Sequence, residues 1–210
     1  MTTRDTKRSD AGPVSTDRTL AATTRAAVST AAVHADARAV LGRWRGRTRE
    51  LESVRQAVLA YLDARPDACA RACAPGHLTA SALVIDAAGE RALLTLHPRI
   101  GKWVQLGGHI EPDDTTLAGA ALREAGEESG IAGLVVDPEP LHVDVHALTC
   151  SLGVPTRHLD VRFVVRAPAG AVETISDESL DLRWWPLAEL PDDVAFGRAL
   201  APGTTPENPQ

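Results

Sequence analysis

The chain has 210 residues and a formal net charge of −6. That length suits one well-filled domain with an appendage, and 44% hydrophobic beside 24% charged residues is the balance of a soluble globular protein. The acidic excess excludes a broad nucleic-acid surface, which needs basic side chains over a wide face, but leaves room for a small phosphorylated substrate in a locally basic cleft.

In chain order, residues 1–38 are rich in Thr, Ala, Ser, Arg and Asp and almost devoid of large apolar side chains. Such a stretch buries too little surface to offset its ordering entropy and reads as a disordered or weakly helical tail. It carries no continuous apolar run of the secretory type, and nothing in the chain approaches the ~20 apolar residues that span a bilayer. A cytoplasmic protein is the expectation. Residues 39–75 form an N-terminal helical segment: Leu51, Val54, Val58, Tyr61 and Leu62 follow helical spacing within Leu41 to Leu62, and Pro66 stops them. That helix can pack on its own domain or on a second subunit, so a homodimer stays open. Cys69, Cys73 and His77 recur every four residues, but Pro75 and Gly76 interrupt the helix that would align them. With Cys150 they make no disulfide framework, and ordinary thiols are expected.

From residue 76 to 195 the pattern is strand-rich. Strands are expected at 78–85, 91–96, 103–106, 141–148, 158–166 and 182–185, with a turn at Asp86 to Gly89 and loops at His97 to Lys102 and Gly107-Gly108. A helix follows from Thr116 to Ser129, a short closing helix near Leu187 to Leu190, and a C-terminal tail at 196–210. Strands and helices alternate without the repeat of a doubly wound sheet, which favours an α/β (α+β) fold with a mixed sheet between helices.

The helix at 116–129 breaks local rules. Ala118, Ala121, Leu122 and Ala125 give one narrow apolar stripe, Asp114 or Thr115 is placed to cap its start, and Gly130 ends it. Its other side collects Glu124, Glu127 and Glu128 at i, i+3 and i+4, within about 100° of arc and at the negative end of the helix dipole. Like-charge neighbours cost roughly 0.2–0.5 kcal/mol each and acids at that end about 0.3–1 kcal/mol each. A solvated acidic face is the ordinary reading of three acids, but a divalent cation would offset the cost directly, and Mg²⁺ and Mn²⁺ prefer such oxygen ligands.

The stretch Gly107-Gly108-His109-Ile110-Glu111-Pro112-Asp113-Asp114 … Arg123-Glu124-Ala125-Gly126-Glu127-Glu128-Ser129-Gly130-Ile131 resembles the Nudix box, G-x5-E-x7-R-E-U-x-E-E-x-G-U, where U is aliphatic. The second half matches at each specified position. The first half departs: one extra residue enters the loop, and Asp114 stands where the family has its first glutamate. Less specifically, Gly76 to Val84 looks like the family's opening strand and Arg183 to Leu190 like its closing strand and turn.

The resemblance implies a Nudix-type α/β/α sandwich and a pyrophosphohydrolase acting on a nucleoside diphosphate linked to another moiety. It implies that Gly108 (through its carbonyl), Glu124, Glu127 and Glu128 hold Mg²⁺ or Mn²⁺, and that Arg123 orients the carboxylates. Glu124 or Glu127 would be the general base, with Glu178 as a loop alternative. Arg99, Lys102, His109 and His158 are candidates for substrate contact, and Trp103 reads as core.

Two other readings remain. Isopentenyl-diphosphate isomerase shares the fold and binds metal through histidines and glutamates, and His77 and His109 fall near two such positions. However, Gly107 stands where that enzyme needs cysteine. A non-catalytic nucleotide- or ADP-ribose-binding module would usually lose box glutamates, and this chain keeps all three.

Overall fold

The computed structural model describes residues 16–149, 153–177 and 179–201, with side chains from residue 30 onward. Its centre is strand β1 (His77–Ile85), a run of small and apolar residues buried along its whole length. Such a run belongs in the middle of a sheet covered on both faces. β6 (Pro155–Arg166) lies parallel to it in continuous register from His77↔His158 to Ile85↔Arg166.

The remaining strands pair antiparallel. β2 (Arg91–His97) joins β1 at Val84↔Leu93, after a turn in which the Asp86 carboxylate accepts from the Glu90 and Arg91 amides. β3 (Lys102–Val104) and β7 (Leu182–Pro186) pair with β2. β4 (Leu106–His109) pairs with the first half of β1, Thr79↔His109 to Ala82↔Leu106. β5 (Val135–Thr149) pairs with β6 and closes the seven-stranded mixed sheet.

Three helices cover one face. α3 (Leu117–Ser129) turns Leu117, Ala120, Ala121 and Ala125 onto Leu78, Ala80, Ala82, Val161 and Phe163. The alanines let the helix axis come close to the strands, which keeps the box residues tight against β4. The opposite face is covered at one end by two 3₁₀ segments, Leu187–Glu189 and Asp192–Leu200, over Leu83, Ile85, Leu94 and Val164. The expected α/β/α layering of a mixed sheet is what the chain adopts.

Several boundaries differ from expectation. The tail assigned to residues 1–38 gives way to α1 (Thr16–Arg43), in which Val33, Ala37 and Leu41 are fully buried. One medium-sized and one small apolar residue, spaced four apart ahead of Leu41, suffice because alanine packs closely. The helix expected from Leu41 to Leu62 is two helices: α1 ends at Arg43, and α2 (Arg49–Ala64) restarts after a loop with Thr48 as its cap. Arg55 of α2 donates to the Leu41 carbonyl at 2.8 Å, and His34 of α1 meets the carbonyls of Leu62 and Arg65.

Neither Asp114 nor Thr115 caps α3. Thr116 does, accepting from Gly119 N, while Asp36 of α1 accepts from Leu117 N at 2.8 Å. β5 starts six residues earlier than expected because Val135 and Val136 pair beyond an irregularity around Pro140. The C-terminal tail expected from residue 196 begins inside a 3₁₀ segment whose Gly197 packs on Leu83: a Cβ there would lie 2.6 Å from Leu83 Cδ2.

Candidate active site

The box helix presents its acids in three environments. Glu124 is buried at 9% exposure, Glu128 is partly buried, and the Glu127 side chain is 59% exposed. Glu124 lies against the backbone of Gly108, where a Cβ would sit 2.7 Å from its Oε1 and 2.9 Å from its Oε2. A Cβ there would displace the Glu124 carboxylate from its seat. Glu128 Oε2 accepts from Gly107 N at 3.2 Å. Gly107 has φ 148°, and a Cβ on it would meet Ser81 Cα at 2.5 Å. The glycine pair thus lets β4 pass between β1 and the acids of α3.

Arg123 ties the acids together. Its Nε and one terminal nitrogen donate to the two oxygens of Asp114 at 3.1 and 2.9 Å, and its other terminal nitrogen lies 3.1 Å from Glu124 and 2.9 Å from Glu127. It also donates to the His109 carbonyl at 3.0 Å. Burial alone would lower its pKa, but the hydrogen bond to Asp114 and the charges of Glu124 and Asp114 raise it instead. Asp114 therefore occupies the place read as a substitute for the family's first glutamate: it is 8% exposed, grips Arg123 in bidentate fashion and accepts from Glu111 N at 2.8 Å.

This donor set is all hard oxygen. Glu124 lies on Gly108 where a methyl group would fall, Glu128 accepts from Gly107 N, and Glu127 is joined to Glu124 through Arg123. The chemistry of the set fits Mg²⁺ or Mn²⁺ bound through carboxylates.

Among the other candidates, Lys102 pairs with Asp193 at 2.9 Å on the 3₁₀ segment. That ion pair is on the surface and leaves the Lys102 side chain more than half exposed. Arg99 is exposed in the turn before β3, and its charge helps depress the pKa of His109. Trp103 packs edge-on to Trp185 with centroids 5.5 Å apart, in the second apolar cluster, as a core residue does. Glu178 lies outside the described residues.

His109 and His158 converge with His77. The ring centroids are 5.0–5.1 Å apart in all three pairs. Burial is the main cause that lowers all three pKa values, to about 4 for His109 and about 3 for His158. The Nε2 of His158 is buried with no hydrogen-bond partner.

Beside the histidines, Asp160 is 2% exposed and accepts from Thr79, Ser81, Gln105 and Arg162 at 2.7–3.2 Å. This network was not found from sequence, and neither was the joining of His158 to His77 and His109, which the sequence offered only as two positions near the isomerase's metal histidines. Both depend on the register of β1 against β6, and the alternation His158, Asp160, Arg162 is the only trace in the chain. Cys69 and Cys73 are buried free thiols, Cys73 lying 3.3 Å from the Tyr61 hydroxyl.

The model of the NUDIX domain matches residues 75–202. The chain belongs to the Nudix hydrolase superfamily. No curated protein matches this chain. Among solved structures, a NUDIX-family hydrolase from Clostridium perfringens is 22% identical, over 59% of this chain and 95% of that one, with TM-score 0.44. The MutT protein from Methanosarcina mazei is 24% identical over 60% and 93%, with TM-score 0.48. A C. elegans Ap4A hydrolase is 20% identical over 59% and 91%, with TM-score 0.45. No described helix of this Nudix chain is long and apolar enough to cross a membrane.

Proposed function

We propose that this Nudix chain is a Mg²⁺- or Mn²⁺-dependent pyrophosphohydrolase that cleaves a diphosphate linkage in a small nucleotide-type substrate. The observation that carries the reading is the Glu124 carboxylate seated on Gly108, with Arg123 bridging it to Glu127 and Asp114. Glu124, Glu127, Glu128 and the Gly108 carbonyl would hold the metal. Bound there, a divalent ion neutralises diphosphate charge and acidifies an attacking water.

The protein's own contributions are separable. Arg123 fixes the carboxylate orientation through charge-assisted hydrogen bonds. Glu127 is exposed and sits on the solvent side of the cluster, where a carboxylate can take a proton from water; buried Glu124 is the better-held ligand. Glu127 is therefore our choice of general base over Glu124 and Glu178. Arg99, Lys102, His109 and His158 are the proposed substrate-side contacts. An intracellular nucleotide metabolite, with no nucleic-acid or membrane partner, is the proposed substrate class.

The test is phosphate release with Mg²⁺ or Mn²⁺ from a panel of nucleoside triphosphates, dinucleoside polyphosphates, ADP-ribose and NAD(H), comparing wild type with Glu127→Gln. Turnover that drops by about 10²-fold or more in the variant is the expected result. Equal turnover removes these residues from the mechanism. Isopentenyl diphosphate belongs in the same panel, since its conversion to the allylic isomer would replace hydrolysis by isomerisation.

A further inference from the structure

The three histidines lie on the other side of β4 from the acids. Side chains alternate along a strand, and the missing Cβ of Gly108 points at Glu124, so His109, the next residue, points the opposite way. Its cross-strand partner Thr79 shares that face with His77, and His77 is paired with His158 on β6. One nitrogen from each of the three rings lies within 4.8 Å of the others. We propose that His77, His109 and His158 form a second metal site, for a borderline first-row transition ion of the Zn²⁺ class, distinct from the carboxylate site.

Two independent observations point to a ligand. His77 is 1% exposed, and its Nε2 is buried without a hydrogen-bond partner; His158 Nε2 is in the same condition. A buried polar atom left unmade costs about 1–3 kcal/mol, so two such atoms in one cluster are a standing cost that a cation bound by them removes. The second observation is the other side of the His77 ring. Its Nδ1–H donates to the Cys73 carbonyl at 3.2 Å, which fixes the tautomer and leaves the Nε2 lone pair facing the cluster. Metal-bound histidines are typically held this way by a backbone carbonyl.

The choice of ion follows from the donors. Three imidazoles suit Zn²⁺, Co²⁺ or Ni²⁺, whereas Mg²⁺ prefers oxygen. Zinc–nitrogen distances of about 2.0–2.1 Å in tetrahedral geometry put the nitrogens about 3.3 Å apart, so the rings must close modestly from the 4.8 Å limit. His109 and His158 are only partly buried, whereas His77 is buried and held at Nδ1. Three protein ligands leave a fourth position open, the arrangement of sites that take water or a substrate oxygen. That position lies on the sheet face that carries Asp160 and Arg162.

The experiment uses the tag-free full chain, stripped with a chelator and dialysed against Zn²⁺ or Co²⁺ in a large excess of Mg²⁺. The expected result is one equivalent of Zn²⁺ retained per chain, and a visible Co²⁺ spectrum of tetrahedral type. His109→Gln and His158→Gln should each weaken Zn²⁺ binding by about 100-fold while circular dichroism and thermal unfolding of the apoprotein stay those of wild type. His77→Gln is a third variant, kept apart because its burial makes it the one most prone to misfold. Glu127→Gln should bind Zn²⁺ as wild type does. No stoichiometric binding, binding indifferent to His109→Gln and His158→Gln, or binding lost in Glu127→Gln would each overturn the proposal; the last would assign the zinc to the carboxylate site instead.

Discussion

Replacing Asp114 by alanine tests the bracing of the acidic helix most directly. The change removes two hydrogen bonds from Arg123, at 3.1 and 2.9 Å, and one from Glu111 N at 2.8 Å. The Asp114 side chain is 7% exposed and that of Arg123 21%. Breaking a fully buried ion pair costs about 3–5 kcal/mol. Here Arg123 keeps Glu124, Glu127 and the His109 carbonyl and some contact with water, so about 2–3 kcal/mol is the reasoned loss. For a chain of this size that lowers the melting temperature by about 4–12 °C. Asp114→Asn keeps the shape and an acceptor for Glu111 N but loses the charge, and should fall between wild type and Asp114→Ala. Thermal unfolding by circular dichroism measures both, in chelator so that metal binding does not mask the difference. A shift below about 2 °C for Asp114→Ala, or Asn worse than Ala, would refute the idea that Asp114 anchors Arg123.

Gly108→Ala should leave the fold intact but push the Glu124 carboxylate away, since the new methyl would start 2.7 Å from Oε1; a fall in kcat/KM of about 10²-fold is expected from a misplacement on that scale, read in the same phosphate-release assay. Leu41→Ala should cost about 2–5 kcal/mol, seen as a lower urea midpoint, because Leu41 is fully buried in the main core; a midpoint unchanged from wild type would show α1 to be dispensable. His142, stacked on Phe196 at 4.9 Å, is held to a pKa of about 4, chiefly by burial and then by Arg162, against the opposing pull of Asp144 and Asp160. Its folded pKa is depressed, so the unfolded chain binds more protons: the stability it contributes is complete above about pH 6.5 and is lost as pH falls toward about 4. His142→Gln should therefore flatten the drop in unfolding free energy from urea titrations between about pH 7.5 and pH 5, by about 2 kcal/mol.

Much of this was legible in the chain because the box is local. The spacing of Arg123, Glu124, Glu127 and Glu128 follows from helix geometry alone, and the ligand-side glycines Gly107 and Gly108 sit within about six turns of them in sequence. Asp114 was also readable, as the acid nearest the expected glutamate position, although its capping role went to Thr116. What was not legible is long-range. Lys102 meets Asp193 and His77 meets His158 only after β-strand register is set, and period-2 alternation says which face a residue takes without naming its neighbour. The packing of α1, read only as disordered or weakly helical, was missed for a related reason: a segment built of alanine, threonine and arginine has little apolar signal of its own, and its burial is decided by the partner helices.

The same helix explains how the acidic end of α3 is tolerated before any metal binds. Glu124, Glu127 and Glu128 crowd the carboxyl end, where the dipole is unfavourable to them. At the amino end the chain places Asp36, which accepts from Leu117 N at 2.8 Å, beside the Thr116 cap. An acid there is favoured by about 0.3–1 kcal/mol and satisfies an amide that the helix itself leaves open. At the other end Gly130 closes the helix at φ 65°, with its amide on the Gly126 carbonyl. Asp36 comes from α1, outside the matched family region of 75–202, and α1 is itself pinned to α2 through Arg55 and His34. The segment that precedes the Nudix domain thus stabilises the box helix at its amino end, offsetting part of the cost of the three carboxylates on its last two turns.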